Sequence, residues 1–169
     1  MPGGTYFFTV NLLQRQQNNL LVRNIDNLRK VVHDVRARYT FAIHGWVVLP
    51  DHIHCLLTLP EGDANSALRW RLIKGGFSKT IPRAEARSQS RTNRGERGIW
   101  QRRYWEHLIR DEKDFAAHMD YIHINPVKHG LVARVVDWPY STFHRLVERG
   151  IYDRSWAGSP EADSLGYPD

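Results

Sequence analysis

The chain has 169 residues, the size of one domain with a substantial core, and its 41% hydrophobic and 25% charged residues predict a soluble globular protein. No apolar run is long enough to cross a bilayer, no secretory leader opens the sequence, and the single cysteine, Cys55, excludes an internal disulfide, so a cytoplasmic protein is expected. Lys and Arg number 24 against 18 Asp and Glu, a net charge of +6, which favours a polyanionic partner such as nucleic acid.

In chain order, "TYFFTVNLL" (5–13) is β-branched or aromatic on both alternations and predicts a strand covered on two faces. "NIDNLRKVVHDVRARY" (24–39) spaces Ile25, Leu28, Val32 and Val35 as a helix, with Asn24 as cap. "TFAIHGWVVL" (40–49) and "HIHCLLTL" (52–59), punctuated by Pro50-Asp51, predict a β-hairpin. Residues 64–80 predict a helix ending near Gly75-Gly76. Residues 82–98 are rich in Arg, Ser and Gly and predict a mobile basic loop; seven Arg stand against two Glu over 83–103. Residues 98–109 have strand character. Asp111 then caps a helix over 111–125, closed by Pro126 and Gly130, and residues 141–150 form a last short helix. The pattern lacks the long crossovers of a parallel sheet, so the expected class is α+β, one antiparallel sheet with packed helices. Residues 1–150 are read as the functional domain and 151–169, which carry four acidic residues and only Arg154, as a C-terminal tail.

The segment "PDHIHCLL" (50–57) places two imidazoles one residue apart. On a strand His52 and His54 share a face, while Ile53, Cys55, Leu57 and Leu59 make a core face on the other side. Such a pair suits a shared divalent metal. A histidine-triad hydrolase needs a third histidine where Leu56 stands, and a structural zinc site needs four ligands. A metal held by the pair and one ligand from elsewhere remains. His44 is one candidate, but its face depends on the length of the hairpin loop, and it is read as a packing residue. The helix over 111–125 offers another: Tyr121 and Asn125 are i and i+4 and share a face with Asp114 and His118, beside an apolar stripe of Phe115, Met119 and Ile122.

"DHIHCLL" together with "YIHINPVKHGLV" resembles the HUH single-tyrosine transposases, and more closely the REP-associated tyrosine transposases. "GGTYFFTVNLLQR", "WVVLPDHIHCLLTLPEGD", "SALRWRLIKGGFSK", "WQRRYWEHLIRDE" and "DWPYSTFHRLVERGIY" extend the resemblance over nearly the whole chain. It implies a ferredoxin-like antiparallel sheet with packed helices, the HUH endonuclease fold. It implies His52, His54 and Asn125 as ligands of Mg2+ or Mn2+ and Tyr121 as nucleophile. In related insertion-sequence transposases glutamine usually stands at the Asn125 position. The implied substrate is single-stranded DNA carrying repetitive extragenic palindromes (REP), folded as hairpins. Monomer and homodimer both occur among such proteins.

The reaction so implied is transesterification: Tyr121 attacks a DNA phosphate, leaving a 5′-phosphotyrosine and a free 3′-OH. Two imidazoles are softer than carboxylates, which on ligand type alone favours manganese or zinc over magnesium. For DNA contact the residues singled out are Arg69, Arg71 and Lys74 around Trp70, Arg102 and Arg103 among Trp100, Tyr104 and Trp105, and Lys128 past the tyrosine helix. Guanidinium on phosphate with rings for stacking suits single strands. The alternative reading is a module that binds repeat hairpins without cutting them.

Overall fold

A computed structural model describes residues 1–167. Its strands are β1 (Thr5–Asn11), β2 (Ala42–Val48), β3 (His52–Thr58) and β4 (Trp105–Leu108). The principal helices are α2 (Ile25–Arg38), α3 (Ser66–Thr80), α5 (Glu112–Lys128) and α6 (Phe143–Glu148); α1 (Leu20–Arg23), α4 (Gln89–Asn93) and α7 (Pro160–Asp163) are single turns. The sheet order is β2-β3-β1-β4 and every neighbouring pair is antiparallel. This is the ferredoxin-like arrangement. The chain crosses over twice, β1 to β2 through α2 and β3 to β4 through α3, and each crossover skips one strand. Right-handed crossovers of that kind place both helices on one face, where α2 packs on α3. The expectation of a sheet without long crossovers is corrected here: they are present, but they join strands that are not adjacent.

Side-chain alternation then builds two cores. Phe8, Val10, Ile53, Cys55 and Leu57 meet Leu28, Val32, Trp70 and Phe77 of α2 and α3. The other alternation, Phe7, Val47 and Leu56, meets Met119, Tyr121 and Ile122 of α5, with Phe143 of α6 and Ala162 of α7. β1 is buried along its whole centre, as its pattern predicts. The histidine face of β3 is buried as well, because α5 lies over it.

Several boundaries move for identifiable reasons. The strand character over 98–109 survives as β4 and as an isolated antiparallel bridge between Trp100 and Leu12. Asn24 stands at the N-cap of α2 and its carbonyl accepts from the Leu28 N–H, but its side chain makes no cap bond; its amide instead donates to the Leu20 carbonyl, at the end of the unforeseen α1. Helix α3 does not stop at Gly75-Gly76 but runs to Thr80. A Cβ at Gly76 would lie 2.7 Å from Val31 Cγ1, so this glycine serves the close approach of α2 rather than a helix end. Helix α5 starts at the Asp111 cap, which accepts from the Asp114 N–H, and it carries Pro126 inside its last turn before Gly130 takes the positive φ that ends it. The basic loop contains α4, and Arg97 pins it, donating to Glu85 and to the carbonyls of Ser78, Ile81 and Pro82. The tail folds back on α5 through α7, whose Ala162 is fully buried; its residues 168 and 169 lie outside the described residues. Among the described residues no helix is long and apolar enough to cross a membrane.

Candidate active site

Strand β3 presents His52 and His54 to α5, and both rings are buried, their centroids 4.8 Å apart. Helix α5 brings Tyr121 within 5.3 Å of the His54 ring, and Asn125 lies one turn on, fully buried. The four residues meet at one end of the sheet.

The hydrogen bonds are one-sided. His52 Nδ1 lies 2.7 Å from Asp51 Oδ1, and His54 Nδ1 lies 2.8 Å from Thr9 Oγ1. The opposite atoms, His52 Nε2 and His54 Nε2, are buried and have no hydrogen-bond partner among the described residues, and the same holds for Asn125 Oδ1. Buried acceptors are rarely left unpaired, and each such atom calls for an explanation. Burial holds His54 well below its usual pKa; the nearby His52, His129 and Arg15 push the same way, and Asn125 opposes them. His54 is therefore neutral at physiological pH, the form in which an imidazole binds a metal. Burial pushes Asp51 up, but hydrogen bonds from His52 and Arg15 outweigh it and hold the carboxyl at about 2.

Tyr121 sits in an aromatic wall. Phe7 is 5.8 Å away, Tyr167 of the tail 5.6 Å, and Lys128 Nζ stands 5.2 Å above the ring. Behind Tyr167 lies a second group, His107, Asp114 and His118. Its atoms are mutually satisfied: Asp114 lies 2.9 Å from His107 Nε2 and 3.0 Å from His118 Nδ1, and His118 Nε2 meets Tyr167 Oη at 2.5 Å. It braces β4, α5 and the tail.

His44 lies on the same face of the sheet as the pair but at the far end of β3 from His52, so it does not join the pair. It sits at a β-bulge, bonds Thr58 Oγ1 and packs on Phe115. Among the basic candidates the structure separates two groups. Arg69 is 3% exposed, pairs with Asp63 and donates to the Asn65 and Thr40 carbonyls, so it ties α3 to the loop before β2 rather than facing a ligand. Lys74 is turned inward onto the Gln101 and Arg102 carbonyls, and burial lowers its pKa. Arg102 is held by Glu96 and Ser90 but remains exposed. Arg71 and Arg103 are exposed. A cleft of about 670 Å³ is lined by Trp70, Arg71, Lys79, Arg102 and Tyr104, among others. The sequence reading missed Asp51, Thr9, Arg15 and Asn11. Thr9 and Asn11 had a visible signal, two polar residues on one alternation of an apolar strand. In register they stand opposite His54 and His52.

Residues 9–125 match the family described as IS200-like transposase. A REP-associated tyrosine transposase of Escherichia coli K12 is 48% identical over 166 residues, which cover 98% of this chain and 92% of that protein. The chain belongs to the REP-associated tyrosine transposases. A putative family member from Haemophilus influenzae is 47% identical, covering 97% of this chain and 93% of the relative. A solved REP-associated tyrosine transposase bound to a REP hairpin superposes with a TM-score of 0.81 at 48% identity, over 94% of this chain and 88% of that one. The matched span begins at Thr9, which bonds His54, and ends at Asn125, so it contains all four residues of the family's implied site.

Proposed function

We propose that this protein nicks and rejoins single-stranded DNA at REP-type hairpins through a covalent link to Tyr121. The observation that carries this reading is the convergence of a helix-borne phenol with three buried polar atoms, His52 Nε2, His54 Nε2 and Asn125 Oδ1, that lack a partner among the described residues. Two imidazole nitrogens and an amide oxygen fit a divalent cation such as Mn2+ or Mg2+, and buried acceptors without donors are what a cation would satisfy. When bound there it would polarise the scissile phosphate and offset charge on its oxygens. The hairpin held by the solved relative suggests the substrate class.

In the proposed step the Tyr121 Oη bonds to phosphorus and the bond to the 3′ oxygen breaks. The phenol loses its proton and the departing 3′ oxygen takes one up. The product keeps one phosphodiester linkage, so attack by a 3′-OH reverses the step without ATP. Lys128 places positive charge beside the ring where the phenolate and phosphate come together. His54 is neutral, and Thr9 holds its Nδ1 side, leaving Nε2 as the atom without a partner among the described residues. Exposed Arg71 and Arg103 are the retained candidates for phosphate contact, with Arg102 beside them.

The test is a denaturing gel of protein mixed with labelled single-stranded hairpin DNA and Mn2+. The wild type is expected to form a covalent adduct, and Tyr121→Phe to form none while still binding the hairpin. An adduct with the Phe variant would overturn the assignment of the nucleophile. Hairpin binding without adduct from the wild type would favour the non-cutting module.

A further inference from the structure

Asp51 lies in the hairpin turn, and its sequence context marks it only as a turn residue. Its carboxylate is nonetheless held at both ends. Oδ1 faces His52 Nδ1 at 2.7 Å, and Oδ2 accepts from Arg15 Nε at 2.7 Å. Arg15 belongs to the segment after β1, lines a cleft of about 400 Å³ with Asp51, His52 and His129, and is partly exposed. Arg15 Nη2 also approaches His52 Nδ1, at 3.3 Å.

These contacts cannot all be hydrogen bonds. An ionised carboxylate only accepts, and a guanidinium only donates. His52 Nδ1 therefore either donates to Asp51 or accepts from Arg15. The carboxylate contact is the shorter by a wide margin, so Nδ1 carries a proton, and in the neutral ring the Nε2 lone pair is then free. Thr9 differs, since a hydroxyl can donate or accept, and it orients His54 without choosing the tautomer.

We propose that Asp51 is a positioning residue that forces His52 into the Nδ1–H tautomer against the competing pull of Arg15, leaving Nε2 available as a metal ligand. This rests on the metal reading of the site given above. Arg15 plays two parts. It anchors the carboxylate while Asp51 is present, and it becomes the donor that inverts the tautomer when Asp51 is absent.

The test uses the full chain and two readouts, 15N NMR of the His52 ring in metal-free protein and calorimetric titration with Mn2+. The wild type is expected to show the Nδ1–H tautomer. Asp51→Ala is expected to move the proton to Nε2 and weaken Mn2+ binding by about 10–100-fold, the usual cost of losing a partner that orients a metal-binding histidine. Adding Arg15→Met to that variant is expected to recover part of the affinity, which a merely structural role for Asp51 would not produce. Should Asp51→Ala fail to fold, Asp51→Asn carries the test: its amide presents either oxygen or nitrogen to the ring, so both tautomers should appear. An unchanged tautomer, or wild-type Mn2+ affinity without Asp51, overturns the proposal. His52→Ala in the same titration separates the two levels. If it binds Mn2+ like the wild type, the metal reading fails and the proposal with it; if it loses binding while Asp51→Ala does not, only the positioning role fails.

Discussion

Acidification should loosen the helix that carries Tyr121, and His123 is the reason. This residue is fully buried on α5, with Nε2 2.9 Å from Thr142 Oγ1 and its ring packed against Phe143 and Tyr152. Thr142 in turn accepts from the Trp46 N–H, so the contact bolts α5 to β2 and the start of α6. Burial pushes the His123 pKa down to about 3, and the nearby Arg145 acts in the same direction. In the unfolded chain an ordinary histidine titrates near ~6.5. Between those values the unfolded state holds a proton that the folded state refuses, so stability is complete above the unfolded pKa and is lost as pH falls toward the folded one. At about pH 5 the loss is roughly 1.5 pKa units, or about 2 kcal/mol. His54, also buried and depressed, contributes in the same sense. Urea unfolding at about pH 8 and about pH 5 measures this directly. His123→Gln, which keeps an acceptor for Thr142 but does not titrate, should reduce the pH-dependent loss by about 2 kcal/mol. Equal losses in variant and wild type would refute the reasoning.

Three further outcomes are expected. Mn2+ at about 100 times its dissociation constant should stabilise the wild type by about 2.7 kcal/mol, seen as a rise in melting temperature that EDTA reverses and His54→Ala abolishes. Gly75→Ala, where a Cβ meets nothing, should stabilise α3 by about 0.5–1 kcal/mol, whereas Gly76→Ala, which presses on Val31, should destabilise by about 1–2 kcal/mol; denaturant midpoints decide. Arg71→Ala should weaken hairpin binding and reduce the salt dependence of log K by about one unit, while Arg69→Ala should lower the melting temperature and leave the salt slope unchanged, by fluorescence anisotropy across a salt series.

The chain by itself determined what short-range covalent geometry dictates. A strand's period of two put His52 and His54 on one face, and a helix's period placed Tyr121 and Asn125 one turn apart. The Asp111 cap and the hairpin followed from equally local rules. The quoted motifs were specific enough to indicate the family before any fold was known. The tertiary structure decided whatever depends on distant segments meeting. It laid α5 over the histidine face, so that a face read as the one opposite the core became the middle of a second core. It assigned Arg69 to Asp63 and Lys74 to backbone carbonyls, because a long side chain's partner depends on which loops the fold brings near. It let α3 pass Gly75-Gly76, since the missing Cβ at Gly76 was needed for Val31 of another helix. It also placed Arg15, 36 residues away in sequence, on the turn carboxylate of Asp51. Periodicity reaches only a few residues along the chain, and such a pairing exists only once β1 and β3 lie side by side.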